Sequence, residues 1–258
     1  MATFLFDKII FGPVKSRRLG VSLGINLLPN DSKLCSFNCI YCECGWNPER
    51  TYKVNFHPRT VVKEKLELKL KEMKSNGEAP DVITFAGNGE PCMHPEFAEI
   101  IDDTIEIRDQ IFPKARIAVL SNATMIHKPA VFEALNRVED NILKLDGGLE
   151  QTIIDLDQPV GSYNLERTID LLAQFSGNLI IQTLFIRGEY KGKMIDNTTE
   201  EEIALWLQHL RKIQPREVMI YTISRDTPID TLEKIELPEL ERIAKRVEAE
   251  GFSTQISG

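Results

Sequence analysis

Three cysteines lie within eight residues of one another, Cys35, Cys39 and Cys42, in the order C-x3-C-x2-C. Thiolates at this density can grip one metal centre only if the chain wraps around it, since no helix or strand presents all three to a point. Zinc and iron–sulfur clusters are the groups that suit such a donor set. A structural zinc site takes four protein ligands, commonly from paired C-x2-C knuckles, and no second knuckle is present. A cubane held by three cysteines instead leaves one iron open to a further ligand. Five cysteines in all, with this clustering, point to metal binding or catalysis before disulfides.

Further polar residues fall where apolar runs stop. Gly87, Asn88, Gly89 and Glu90 end one run, Ser121 and Asn122 a second, and Lys144 and Asp146 a third. Glycines let a backbone approach a ligand closely. Gln182, Thr183, Thr222 and Ser224 end later runs, and a polar residue that merely caps a strand is as good a reading of them. Cys44 reads as a neighbour of the cysteine cluster and Cys92 as a structural thiol. The histidines, His57, His94, His127 and His209, show no metal spacing, and His94 suits a helix start.

The elements that must position these residues alternate. Apolar runs at 19–28, 81–86, 116–120, 141–145, 179–186 and 218–223 read as strands. Helical spacing marks 62–73, 95–111, 129–138, 164–175, 200–213 and 238–250, for example Val62, Leu66, Leu70 and Met73. Repeated βα units imply a parallel sheet with right-handed crossovers, here a partial (βα)6 TIM-like barrel in one domain over 1–258. Chemistry in such sheets sits at the C-terminal strand ends, where every unusual motif here falls.

Of the 258 residues, 42% are hydrophobic and 27% charged, the balance of an ordinary globular protein. No stretch has the length and apolarity of a membrane helix and the N-terminus has no signal-peptide pattern, so a cytoplasmic protein is expected. The net charge of −8 argues against a polyanion partner. Lys15, Arg17, Arg18 and Lys33 read as solvated charges on a surface loop, and the Lys63–Lys74 helix interleaves its lysines with glutamates as a solvated face does.

C-x3-C-x-aromatic-C after the first strand of a six-unit βα barrel resembles the radical S-adenosylmethionine (SAM) superfamily. The resemblance implies that Cys35, Cys39 and Cys42 hold a [4Fe–4S] cluster whose open iron SAM chelates, with Tyr41 along the adenine. It implies reductive cleavage of SAM, a 5′-deoxyadenosyl radical that abstracts hydrogen, oxygen sensitivity and a one-electron donor of flavodoxin or ferredoxin type. Gly87-Asn88-Gly89-Glu90 matches the superfamily's Gly-Gly-Glu-type motif, whose carboxylate and carbonyls bind the SAM ammonium. Ser121 and Asn122 resemble the pair that contacts its carboxylate or ribose, and Lys144 or Asp146 is placed toward the same pocket.

The stretch from Phe11 to Asn26, with Phe56-His57-Pro58-Arg59 and residues 220–225, is similar to a subgroup near the wyosine-type tRNA-modifying enzymes. Cys44 and Cys92 alone do not complete an auxiliary cluster, which takes four cysteines. The substrate is unidentified: acidic charge favours a small metabolite or peptide, and the subgroup suggests an RNA base. Arg17, Arg18 and Arg225 are the candidates for gripping it. The rival of another class is a non-catalytic binding module stabilised by zinc or a cluster.

Overall fold

A computed structural model describes residues 4–16, 18–49 and 55–258. The chain opens with an antiparallel pair, β1 (Ile10–Ser16) and β2 (Gly20–Ile25). Then α1 (Arg59–Ser75), β3 (Val82–Phe85), α2 (Phe97–Ile111), β4 (Arg116–Ser121), α3 (Pro129–Asn136) and β5 (Asp140–Lys144) follow in alternation. Next come α4 (Glu150–Asp157), α5 (Leu165–Ala173), β6 (Ile180–Leu184), the strands β7 (Ile186–Tyr190) and β8 (Lys193–Asp196), α6 (Glu200–Ile213) and β9 (Glu217–Tyr221). Strand β10 (Leu232–Lys234), α7 (Leu237–Ala249) and β11 (Ser253–Ser257) close the chain.

Eight strands form one sheet in the order β1-β2-β3-β4-β5-β6-β9-β11, curled into the partial barrel that the alternation implies. All of its pairings from β2 to β11 are parallel. The six expected strands and six helices are present. The expectation lacked β11, a seventh parallel strand, because Ser253–Ser257 is polar and short. It also lacked β1, the short helix α4, and a second antiparallel sheet in the order β10-β7-β8. The sheet's two ends approach each other, and Gln255 Nε2 donates to the Arg18 carbonyl at 3.1 Å.

The parallel strands other than β11 are covered on both faces, so they read as apolar runs, and side-chain alternation assigns each residue a side. Ile83, Phe85, Ile117, Val119, Leu143, Ile181, Val218 and Ile220 face the helices in the main core. Val82, Ala118, Ile142, Ile180 and Met219 face inward and fill the lower lumen with a separate apolar cluster. Two positions further along, the inward residues become Thr84, Leu120, Lys144, Gln182 and Tyr221. On β3, β5, β6 and β9 the lumen thus turns polar toward the C-terminal ends of the strands.

Candidate functional site

One cavity of about 170 Å³ at those strand ends is lined by Cys35, Cys39, Cys42, Tyr41, Gly87, Gly89, Glu90, Ser121 and Asn122. Lys33, Cys44, Lys144 and Gln182 also reach it. Residues distant in sequence meet there because the loop after β2 folds back over the barrel. Leu34 bridges to Gly89 like a short parallel strand, its N–H donating to the Asn88 carbonyl at 2.8 Å. At the far end of the loop, the N–H groups of Asn38 and Ile40 donate to the carbonyls of Asp157 and Leu156, each at 2.9 Å. Asn47 clamps the middle: it accepts from Cys35 N at 3.0 Å and donates to the carbonyls of Cys35 and Phe37 at 3.0 and 3.2 Å.

Gly89 has φ +139°, and a Cβ there would lie 1.8 Å from the Leu34 carbonyl oxygen. Gly87 has φ +137°, and a Cβ would meet Asn26 Oδ1 at 2.5 Å. These positive φ values turn alternate residues of the motif to opposite sides. Glu90 faces the cavity. The Asn88 side chain, expected to face a cofactor, does not: it accepts from Phe6 N at 2.8 Å and donates to the carbonyls of Phe6 and Pro29 at 2.9 and 2.8 Å. Asn88 anchors the N-terminal segment.

Glu90 is 2% exposed. Its Oε1 accepts from Ser121 Oγ at 2.9 Å and Cys92 N at 3.0 Å, and its Oε2 from Asn122 N at 2.6 Å. Burial pushes its pKa up, opposed by these hydrogen bonds. Among the described residues no Lys or Arg pairs with it, so the carboxylate presents uncompensated negative charge to the cavity. The Asn122 amide donates to Ser36 Oγ at 2.9 Å and to Cys35 Sγ at 3.5 Å.

All five cysteines are free. Burial pushes the Cys35 thiol up to about 12. Burial, then the Asp157 carboxylate, pushes Cys39 up as well. Cys42 differs: the neighbouring Cys44 thiol and the Lys33 ammonium pull it down to about 5, while Cys44, whose thiol donates to the Gly87 carbonyl at 3.6 Å, is pushed up by Cys42 and by burial. Lys33 corrects the expectation of a solvated surface charge. It is 3% exposed, donates to the Gly45 carbonyl at 2.8 Å, and burial's pull against its charge is outweighed by the three thiols.

Behind Tyr41 lies a buried polar network. Its hydroxyl donates to Asp146 and, at 3.0 Å, to Asp157, and accepts from Lys144. Lys144 also donates to Asp146 at 2.8 Å and lies 4.9 Å from the Tyr41 ring centroid. Asp146, expected at the cofactor, is fully buried behind this pair, with its second oxygen taken by Leu184 N at 2.9 Å. Of the two candidates at that strand end, Lys144 is the one that lines the cavity. Burial pushes Asp157 up to about 7. Sequence reasoning missed Lys33, Asn47 and Asp157; only the in-register position of Gln182, two residues beyond the apolar Ile180, carried a signal.

Of the other candidates, Thr183 points away from the lumen and donates to the Leu145 carbonyl at 2.7 Å, and Thr222 accepts from Ile235 N at 2.9 Å. His94 is buried at the start of α2, bonded to the His57 carbonyl at 2.9 Å. Arg225 pairs with Glu43 at 2.7 Å on the surface. Arg17 lies outside the described residues.

The donor set, three thiols lining one cavity, suits a metal centre by its chemistry. Among the described residues, no three His, Cys, Asp or Glu side chains gather as around a single ion. Burial keeps protons on Cys35 and Cys39, and positive charge in the cavity is what would draw them off.

Residues 30–193 match the sequence profile of the Radical SAM superfamily. Over 249 residues the chain is 30% identical to a GTPase Obg of Brachyspira hyodysenteriae, covering 95% of this chain but only 34% of that protein. It is 29% identical to a UPF0026 protein of Helicobacter pylori, over 84% of this chain and 67% of the relative. Its fold is similar to that of Streptococcus suis SuiB bound to S-adenosylmethionine, with TM-score 0.64, 16% identity, and 91% of this chain and 50% of that one covered. A radical SAM methyltransferase from Sphaerobacter thermophilus gives TM-score 0.67 at 13% identity, over 92% and 65% of the two chains. TYW1 with a lysine-pyruvate adduct bound gives 0.62 at 16%, over 88% and 73%.

Proposed function

The chain belongs to the radical SAM superfamily of enzymes, and we propose that its strand-end cavity holds one [4Fe–4S] cluster and one SAM molecule for radical chemistry on a small metabolite or peptide. When bound and reduced, that pair supplies a 5′-deoxyadenosyl radical able to abstract hydrogen. The remaining work is that of the chain's own residues. Cys35, Cys39 and Cys42 hold three irons, and the Lys33 ammonium offsets part of the negative charge of three thiolates. Glu90 and the carbonyls beside Gly87 and Gly89 take the ammonium of an amino acid. Ser121 holds the Glu90 carboxylate in place, and Asn122 steadies both Glu90 and Cys35. Tyr41 presents its ring to the cavity while Asp146 and Asp157 fix its hydroxyl; Asp146 is thus a positioning residue.

The observation that carries this reading is the buried Glu90 carboxylate, hydrogen-bonded but without a cation, in one cavity with three buried cysteines. A purely structural zinc or cluster site has no use for such a group. We place the protein in the cytoplasm as one domain, served by a flavodoxin- or ferredoxin-type donor; among the described residues no helix is long and apolar enough to cross a membrane.

The test is anaerobic reconstitution, with iron and sulfide counted, followed by dithionite, SAM and an assay for 5′-deoxyadenosine. About four irons per chain are expected, lost with the product in Cys39→Ala. Glu90→Gln should keep its iron and bind SAM roughly 10- to 100-fold more weakly, the loss of one charge-assisted contact. Zinc in place of iron, or a cluster whose electron paramagnetic resonance ignores SAM, would sink the reading.

A further inference from the structure

Beside the cofactor cavity lies a larger one of about 830 Å³, and Leu120 lines both. Its walls have a definite chemistry. On the lumen side, the hydroxyls of Ser22 and Thr84 share a hydrogen bond of 2.8 Å, and both residues are buried. Arg18 reaches in from the β1–β2 hairpin. Its Nη1 donates to Gln182 Oε1 at 3.0 Å, and its guanidinium carbon lies 4.8 Å from the Tyr221 ring centroid. Gln182 in turn donates to the Tyr221 hydroxyl at 2.9 Å, so a neutral amide and an aromatic face are among the groups that orient the guanidinium.

Beside the Ser22 and Thr84 hydroxyls the wall is aromatic. Phe6 and Phe11 stack with centroids 3.8 Å apart and planes 25° from parallel. Phe11 lies flat on Gly24, where a Cβ would come within 2.1 Å of the ring, so glycine at 24 is what admits the ring into the chamber. Asn88 holds Phe6 at both its N–H and its carbonyl. Among the described residues, the ionisable groups that line it are Lys15, Arg18 and Arg225 against Glu43 and Asp226, with Arg225 paired to Glu43. The described lining therefore carries a positive excess in a chain whose net charge is −8.

We propose that this chamber takes the substrate, and that the substrate is a small anion, a carboxylate or a phosphate, with a flat apolar portion. The anionic end meets Arg18, with Lys15 at the chamber's exposed edge and the Ser22–Thr84 hydroxyls as further donors. The apolar portion lies on the Phe6–Phe11 pair, and Leu120 is the side chain that separates it from the cofactor. The volume falls in the range of about 300–1,000 Å³ typical of enclosed small-molecule sites, and the acidic chain is a poor match for a polyanion. That the ligand is a substrate rests on the radical SAM reading; the ligand preference is the chamber's own.

The test uses reconstituted protein with SAM present and four probes: 3-phenylpropionate, phenyl phosphate, 3-phenylpropanamide and 3-phenylpropylamine. Binding is read by calorimetry and saturation-transfer NMR. The two anions should bind at least about tenfold more tightly than the amide, with the amine weakest, and the tighter anion tells carboxylate from phosphate. Arg18→Gln should weaken the anions about tenfold or more while iron content and circular dichroism stay unchanged. Lys15→Gln, at the exposed edge, gives a smaller loss in the same direction and serves if Arg18→Gln fails to fold. Equal binding of the amide or amine, no binding of either anion, or anion affinity unchanged in both variants would overturn the proposal. So would salt-sensitive binding of a short RNA in place of the anions. Anion binding without SAM cleavage would overturn the cofactor reading and leave the chamber's preference standing; SAM cleavage without anion binding does the reverse.

Discussion

The Glu90 carboxylate and the Cys42 thiolate show how single groups are tuned by what surrounds them. Glu90 loses its hydration on burial and recovers three hydrogen bonds, from Ser121, Cys92 and Asn122. Hydrogen bonds to neutral donors satisfy lone pairs without cancelling charge, so the site is left receptive to an ammonium. Of the three thiols, Cys42 is the one drawn below its ordinary value, by the neighbouring Cys44 thiol and by the Lys33 ammonium. Gly89 is the residue on which the two halves of the site meet. Gly89→Ala would place a methyl group 1.8 Å from the Leu34 carbonyl in a backbone conformation with φ +139°. A loss of about 3 kcal/mol or more is expected from strain and from parting the Leu34–Gly89 bridge. A thermal melt and an iron count after reconstitution check it, and an unchanged melting temperature would refute the fitted geometry.

At the scale of elements, the strands of the barrel are two-faced by alternation, and the change from Ile142, Ile180 and Met219 to Lys144, Gln182 and Tyr221 marks where the packed lumen ends and the site begins. Loops do the remaining positioning. The cysteine loop is pinned to the end of α4 through Asp157 and Leu156 and to the strand end through Leu34. The N-terminal segment is pinned through Asn88, whose side chain makes three bonds to backbone groups of Phe6 and Pro29. Asn88→Ala should destabilise the fold by about 1–3 kcal/mol, since it strands buried backbone groups. Limited proteolysis should cut the N-terminal segment faster while the reconstituted cluster still responds to SAM. Loss of the SAM response with an intact N-terminal segment would instead return Asn88 to the cofactor.

For the molecule as a whole, the β2 and α1 regions are joined to the start of α2 by a histidine contact that makes stability depend on pH. Burial holds His94 below its ordinary 6.5, with Nε2 donating to the His57 carbonyl and Nδ1 accepting from Glu96 N at 3.1 Å. His57 is shifted the same way, again by burial. An unfolded chain takes up these protons near pH 6.5 and the folded chain resists them. The contribution is therefore full above pH 6.5 and is lost as the pH falls through the folded-state values. Urea midpoints should drop on acidification below about 6.5, and His94→Gln should flatten that slope; an equally steep slope in the variant would assign it elsewhere.

The amino-acid sequence by itself determined the alternation of strands and helices, the spacing of Cys35, Cys39 and Cys42, and the glycine–glutamate turn at Gly89 and Glu90, because each depends on neighbours within a few residues. It did not determine that Lys33 is buried among thiols, that Asn47 clamps their loop, that Asp157 lies against Cys39, or that Asn88 and Asp146 turn away from the cavity. Those facts arise where the loop after β2 crosses to α4 and the strand ends. Burial and facing there depend on which distant backbone groups approach, and only the closed tertiary structure brings them together.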